Sequence, residues 1–149
     1  ASASVSVDVD AGATVSGPIV TVGADWVGVS ATGGGVVVVP FGAIVAIGMS
    51  LGDLLRTARG ESEPHGVTLA ARITFGFLLR DLVRRRTSTT LGLRGGKGLV
   101  GTIDRAGEDH LDLALHDDGQ PRSAQSVSGY RLVPLSAVCT ITLAGNLPR

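Results

Sequence analysis

The sequence carries the same pattern twice, and this internal repeat limits the folds open to the chain more than any other feature. The stretch GPIVTVGADWVGV (17–29) aligns with GTIDRAGEDHLDL (101–113), and VVPFGAIVAI (38–47) aligns with LVPLSAVCTI (132–141). The first pair is offset by 84 residues and the second by 94, so the second copy holds a connection ten residues longer. Alternating apolar residues around turn residues predict a duplicated strand–turn–strand unit.

The composition indicates that β-sheet supplies most of the structure. Hydrophobic residues make up 44% of the chain but aromatic residues only 3%, so Val, Ile and Leu must form the core. Branched side chains of this kind suit pleated sheets. A chain of 149 residues accommodates one domain or two small ones. The repeat favours two barrels of roughly 50 residues each, which gain stability when they pack together.

Five short strands are expected in each copy, with tight turns between them, as in a small meander barrel. Those of the first copy cover 5–9, 15–22, 26–31, 36–39 and 44–47. Those of the second copy cover 89–94, 99–105, 110–116, 129–133 and 138–143. Pro40 cannot donate a ladder hydrogen bond and should end the fourth strand. The polar segment 117–128 forms the longer loop of the second copy.

Helical segments are expected between the two copies. Residues 49–59 predict a short helix, and the polar segment 60–66, which contains Pro64, predicts an exposed linker. The corresponding domain boundaries are 1–48 for the first barrel, 49–68 for the linker and 69–149 for a helix with the second barrel.

The stretch 69–86 predicts the main helix. One face is apolar through Ala71, Phe75, Leu78, Leu79 and Leu82. Ile73 and Phe77 lie on roughly the opposite face. A helix that is apolar on two sides is usually enclosed. We therefore expect it either to lie between the two barrels or to face a second subunit.

Charge is unevenly distributed although the formal net charge is zero. Residues 1–68 carry −4, residues 69–101 carry +6, and residues 102–149 carry −2. The middle of the chain is therefore a basic segment between two acidic parts.

Five of the seven basic side chains of this segment lie at the end of the main helix or shortly after it, namely Arg84, Arg85, Arg86, Arg94 and Lys97. Guanidinium groups match phosphate oxygens, which favours contact with nucleic acid. Cations also stabilise the C-terminal end of a helix with no ligand present. No aromatic residue interleaves this group, so stacking on bases is not expected.

Residues of the reactive types do not form a recognisable set. The single cysteine, Cys139, excludes an internal disulfide and a multi-cysteine zinc site, and its apolar neighbours predict an inert buried thiol. His110 and His116 on one strand would be about 20 Å apart, too far to share one ion. No metal or other cofactor is expected.

The glycine-rich segment 92–98 (GLRGGKG) lacks the first Gly and the Ser or Thr of a phosphate-binding P-loop. It predicts a hairpin turn instead. No nucleophile, base and acid occur together in a pattern with a mechanism, so the chain is not expected to be an enzyme. No apolar run of about 18 residues predicts a membrane span. No signal-peptide pattern is visible either, so a cytoplasmic location is expected.

The second copy resembles the Sm-like fold, which includes the bacterial Hfq branch. The resemblance is carried by Gly101, by the segment DHLDL (109–113) after a turn, and by LVPLSAV (132–138). The first copy matches through Gly17, Asp25 and Val27. The resemblance implies a mainly β chain of two tandem five-stranded Sm-like small barrels with a connecting amphipathic α-helix. The whole chain also resembles a group of actinobacterial proteins with two such units, some of which are labelled transcriptional regulator.

The chain departs from the Sm pattern where that pattern contacts RNA. Asp112 and Gly28 occupy the places of the RNA-contacting Asn. Val-Pro pairs at 133–134 and 39–40 occupy the places of an Arg-Gly pair. The resemblance therefore implies the fold without the pocket that reads a base.

The function expected from these patterns is a non-enzymatic interaction or assembly module that works through protein–protein contact. Exposed edge strands can pair with another chain, and the apolar strand 36–39 is the predicted edge. Phe75 and Phe77 on the two-sided helix form a second predicted contact, and a homodimer is expected. Trp26 either anchors a partner or covers its own barrel. The alternative function is a regulatory protein that binds RNA or DNA through the basic segment.

Overall fold

The computed structural model describes residues 4–10, 12–58, 70–118 and 120–144. Within them, ten strands form one open antiparallel sheet, joined by two α-helices and short 3-10 turns. The mainly β class predicted from the sequence is confirmed. The predicted linker 60–66 lies outside the described residues. The division at 1–48, 49–68 and 69–149 stays a prediction.

The strand boundaries agree with the sequence pattern to within one or two residues. The strands of the first half are β1 (Ser4–Val9), β2 (Thr14–Val22), β3 (Trp26–Ser30), β4 (Val36–Pro40) and β5 (Ile44–Gly48). Those of the second half are β6 (Ser88–Leu93), β7 (Gly98–Ala106), β8 (His110–Leu115), β9 (Gly129–Pro134) and β10 (Val138–Leu143). The helices are α1 (Leu51–Ala58) and α2 (Phe75–Arg85). The segment 92–98 contains the predicted hairpin turn, between β6 and β7.

The strand order repeats from one half to the other. It runs β5-β1-β2-β3-β4 in the first half and β10-β6-β7-β8-β9 in the second, so the fifth strand of each half lies beside its first. The halves meet where β4 pairs with β10. The strands thus form a single open sheet, and the ladders do not close into two separate barrels.

The prediction that 36–39 is a free edge is wrong. β4 pairs with β3 on one side and with β10 on the other, and Val38 and Val39 are fully buried. An apolar strand with two complementary neighbours in the same chain satisfies its backbone groups locally. Among the strands that the structure describes, those at the free edges of the sheet are β5 and β9.

Gly17 and Gly101 occupy equivalent sites in the second strand of each half, and both permit close strand contact. A Cβ atom at Gly17 would lie 2.0 Å from the carbonyl oxygen of Ser30, and one at Gly101 would lie 2.0 Å from that of Ala114. Gly17 also has a φ of +148°, which L-residues rarely adopt. Close backbone approach therefore explains why both copies have glycine here.

Two apolar cores lie under the sheet, and each contains side chains from the opposite half. Cys139 of β10 belongs to the first core, which is built from valines of β1 to β4. Trp26 and Val38 belong to the second core, together with the buried face of α2 and the inner residues of β6 to β10. Each half therefore contributes side chains to the core of the other half.

Helix α2 is shorter than predicted. It begins at Phe75 because the Thr74 hydroxyl accepts from the backbone N–H of Phe77, and Ala70–Arg72 forms a separate 3-10 turn. It ends at Arg85, and the C-cap residue Arg86 has a left-handed φ of 50°.

The buried face of α2 comprises Phe75, Leu78, Leu79 and Leu82, and the helix packs on β7. The helix was expected either between two barrels or against a second subunit. It packs on the second half, and at its N-terminus the backbone N–H of Phe75 bonds the Asp25 carboxylate of the first half. The described residues include no helix with the length and apolarity needed to cross a membrane.

Candidate functional site

The candidate site is identified by comparison with the β4–β10 ladder, which joins the two halves and which we call the internal joint. In the β4–β10 ladder, Ile141 pairs with Val38, Thr142 with Val37 and Leu143 with Val36. Ile141 and Val38 are fully buried, as an apolar pair in the middle of a sheet should be.

Across the joint, the turns of the two halves are also tied together. Arg94 forms an ion pair with Asp10, and its Nε donates to the carbonyl oxygen of Ser136 at 2.6 Å. Arg94, predicted as a phosphate contact, thus has a structural role at the joint.

The two free edges correspond strand for strand to the two sides of this joint. The repeat aligns β9 with β4, so Leu132 matches Val38, and it aligns β5 with β10, so Ile47 matches Ile141. Their burial is opposite, since Leu132 is 67% exposed and Ile47 is 44% exposed. At both free edges, the apolar residues equivalent to the buried pair of the internal joint are therefore exposed.

Other large apolar side chains extend these exposed edges. Val45 on β5 is 68% exposed, and Tyr130 on β9 is 60% exposed. β5 has no charged residue, whereas natural edges are usually protected by charges, bulges or coverage. Adjoining exposed apolar side chains are a common feature of interaction surfaces, which makes the two edges the candidate site. We call β5 and β9, with these four side chains, the edge pair.

The three residues on α2 and β3 that were predicted to contact a partner differ in their exposure. Trp26 is 1% exposed and lies in the second core, where its Nε1 donates to the Ile73 carbonyl at 2.8 Å. A side chain buried this deeply offers no surface to an outside partner, and its ring lies against Gly23 of its own half. Phe75 is also buried, so it is a core residue. Phe77 is exposed, and the Arg84 guanidinium lies 6.0 Å from the centre of its ring.

The turn before β3 holds the start of α2. The Asp25 carboxylate accepts from the backbone N–H of Phe75 at 2.7 Å, and the N–H of Ala24 donates to the Ile73 carbonyl at 2.8 Å. In the second half, the equivalent Asp109 binds the neighbouring His110 ring at 2.7 Å. This hydrogen bond and the His110 charge lower the pKa of Asp109.

The basic residues do not form one surface. Arg84 and Arg85 both pair with Asp81 on the same helix, each at 3.0 Å. Arg94 is held at the joint, while Lys97 is exposed in the β6–β7 turn.

Arg86 has a neighbour that the sequence pattern did not select. It lines a cleft of about 300 Å³ with Arg122. Arg122 makes a two-bond contact with Asp104, at 2.6 and 2.7 Å, and this contact raises the pKa of Arg122. The charge of Arg122 is thereby partly compensated.

The remaining reactive side chains have structural partners. The His116 ring bonds the Thr102 hydroxyl at 2.7 Å in the interior. Burial raises the pKa of the Cys139 thiol, which suits an inert core position. Asp112 pairs with Arg105 at 3.2 Å. Across the described ranges, no cluster of three or more His, Cys, Asp or Glu side chains is placed to hold a metal ion.

Sequence reasoning selected the wrong edge because it treated each copy alone. The useful signal was present in the alignment, which matches Leu132 with Val38 and Ile47 with Ile141. The alignment does not show that β4 and β10 pair with each other, so the equivalent strands β9 and β5 were not predicted to be the free edges.

Comparison with known proteins identifies no family: neither the protein-family models, nor the curated proteins, nor the solved structures gave a match.

Proposed function

We propose that the chain is a non-enzymatic assembly module whose copies join head to tail through the edge pair. The observation that carries this proposal is the correspondence between the free edges and the internal joint. β9 of one copy would add to β5 of the next, as β4 adds to β10 within the chain. Each copy has one β5 edge and one β9 edge. Every contact between copies would therefore be of the same kind.

Each half of the module is proposed to be an Sm-like unit. Support comes from the repeated strand order and from the close-approach glycines at 17 and 101. A backbone bond repeats as well, from Phe41 to the Asp25 carbonyl at 2.9 Å and from Leu135 to the Asp109 carbonyl at 2.8 Å.

The internal ladder predicts the register of the joint between copies. Ile47 would pair with Leu132 of the next copy, Gly48 with Arg131, and Met49 with Tyr130, by analogy with the β4–β10 register. Burying each large apolar side chain contributes about 1.5–3 kcal/mol. Pairing would also satisfy the unpaired backbone groups of both edges.

Head-to-tail joints are heterologous, so the copies either close into a ring or extend into a chain. A symmetric homodimer would instead pair like with like, β5 with β5 or β9 with β9. The two arrangements are separable by experiment.

Sedimentation velocity of the full chain over a range of concentrations tests the proposal. The wild type should sediment as a species larger than the 15.1 kDa monomer. Ile47→Asp and Leu132→Asp should each give monomers, since a charge on either edge opposes desolvation. A wild type that stays monomeric at high concentration would overturn the proposal.

Mixing the two variants distinguishes the arrangements. The Leu132→Asp copy keeps β5 and the Ile47→Asp copy keeps β9, so a head-to-tail joint re-forms once. The mixture should contain a species of two chains and nothing larger. A like-with-like dimer would survive one of the two substitutions and would gain nothing from mixing.

Nucleic-acid binding is the second candidate function, and the observation that favours it is the position of Arg86 beside Arg122. Binding through these groups should weaken steeply with salt. Fluorescence anisotropy with labelled RNA and DNA at low and moderate salt, for the wild type and for Arg84→Ala, Arg85→Ala and Arg86→Ala together, measures this. No binding at low salt removes this candidate.

A further inference from the structure

Two cavities occupy equivalent places in the two halves, but only one of them has a wall from the neighbouring half. Residues 88–90 and 142–144 line a cavity of about 320 Å³, and Gly34 and Gly35 of the first half close one side of it. The matching residues 4–6 and 48–50 line the other cavity, of about 520 Å³, with further residues from the first half only.

Contact at the walled cavity is tight. A Cβ atom at Gly35 would lie 2.9 Å from the carbonyl oxygen of Leu143, so the loop before β4 rests on the end of β10. The joint thus brings together two places: the residues just after a fifth strand and the loop just before a fourth strand.

Both of these places carry an elaboration at the free edges. After β5 the chain continues into α1, whereas β10 is followed only by Ala144 among the described residues. Before β9 lies the long loop 116–128, whereas a short turn through Gly34 and Gly35 precedes β4. Helix α1 and the long loop therefore lie on opposite edges, at positions that a copy–copy joint would bring together.

Helix α1 is amphipathic and its apolar side chains face solvent. Leu51, Leu54 and Leu55 are 69%, 51% and 45% exposed. Their i, i+3, i+4 spacing places them on one face. The Ser50 hydroxyl accepts from the Asp53 N–H at 3.1 Å, and Asp53 pairs with Arg56, so local contacts within 50–56 support the helix.

The long loop is fixed on its own half. Arg122 binds Asp104 through two hydrogen bonds, and the Ser126 hydroxyl donates to the Pro121 carbonyl at 2.7 Å. Pro121 and Ala124 remain exposed. A surface that is ordered before binding loses less entropy on association.

We propose that the apolar face of α1 binds the 116–128 loop of a second copy, and that this contact makes the joint between copies differ from the joint inside the chain. The inference rests on the proposed head-to-tail assembly. The loop forms the wall that the larger cavity lacks, and the three leucines of α1 pack against it. At the internal joint, the described residues place Gly35 against the Leu143 carbonyl instead, so this contact belongs to the joint between copies alone.

Cross-linking of mixed variants, each with one introduced cysteine, tests the contact. Leu54→Cys and Ala124→Cys chains are mixed under assembly conditions and treated with a short bismaleimide. The expected product is a covalent two-chain species containing one of each variant. Ala13→Cys with Ala124→Cys is the control, since Ala13 is exposed at the β1–β2 turn, at the far end of β1, and should give no such product. The native Cys139 is buried and should stay unmodified.

A second variant keeps the test independent of cross-linking chemistry. Replacing Leu51, Leu54 and Leu55 by Ser should weaken association by at least about tenfold while leaving the urea midpoint of the monomer nearly unchanged. Assembly that persists at wild-type strength, with no 54–124 product, overturns this inference and leaves the proposed function standing. A wild-type chain that does not assemble overturns both.

Discussion

The internal joint and the free edges are made from corresponding strands, but they differ in what covers them. At the joint, Val38 and Ile141 are fully buried against each other. At the edges, their counterparts Leu132 and Ile47 are 67% and 44% exposed. Duplication in one chain supplies the partner strand for one side of each half and leaves the outer sides open. An apolar edge of this kind is tolerated when it is an interface.

The largest effect is expected when the same charged residue is placed at a buried site of the internal joint and at the equivalent exposed site of an edge. Val38→Asp buries a carboxylate at a fully buried site and should lower the free energy of unfolding by more than about 4 kcal/mol. Leu132→Asp, at the equivalent but exposed site, should change monomer stability by less than about 0.5 kcal/mol. Urea unfolding followed by circular dichroism measures both. Equal losses would show that the edge is already buried.

The repeated glycines give the next largest effect. Gly17→Ala and Gly101→Ala each place a Cβ atom 2.0 Å from a carbonyl oxygen, so each should cost about 2–4 kcal/mol of stability. Gly17→Ala should cost more because its φ of +148° is also unfavourable. Gly33→Ala is the matched control, with no atom near the added Cβ. Thermal unfolding that ranks Gly33→Ala with the other two would contradict this reading of the repeat.

A smaller effect is expected at the turns across the joint. Arg94→Ala removes the ion pair with Asp10 and the bond to Ser136, and because both charged groups are substantially exposed the loss should be about 0.2–1 kcal/mol. Asp10→Ala should cost a similar amount, and the double variant should cost less than the sum. Lys97→Ala serves as the control. Full additivity in urea unfolding would show that the pair does not couple the halves.

The smallest effect concerns Asp109, whose carboxyl has a lowered pKa in the folded chain because His110 bonds it. A lowered folded-state pKa contributes stability above the unfolded pKa of about 3.9 and loses it as pH falls through the folded value. Asp109→Asn should therefore slightly flatten the stability profile below pH of about 4. Urea midpoints from acid to neutral pH measure this, with Asp118→Asn, an exposed loop carboxyl, as the control. If stability changed with pH in the same way in Asp109→Asn and in the wild type, the Asp109–His110 pair would make no pH-dependent contribution to stability.

Strand positions were predictable because alternation in the sequence records which face of each strand meets the core. Val5, Val7 and Val9 are buried while the residues between them are exposed, as their period of two requires. The start of α2 was less predictable. The Asp25 carboxylate, which is far away in sequence, accepts from the backbone N–H of Phe75, the first residue of the helix.

The candidate site was predictable in kind but not in place. An apolar strand edge was expected, yet 36–39 proved internal and the edge pair was missed. Trp26 was expected either to anchor a partner or to cover its own barrel, and Phe75 was expected to contact a partner. Both lie in the second core, where the Trp26 Nε1 donates to the carbonyl of Ile73, just before α2.

The sequence by itself determined the mainly β class, the duplication and the ten strand segments, because side-chain patterns encode burial along each strand. Only the tertiary structure decided which strands are neighbours and which edges remain free. The physical reason is that backbone N–H and C=O groups are the same in every strand. The choice of partner depends on packing across the whole sheet, as Cys139 in the first core and Val38 in the second demonstrate.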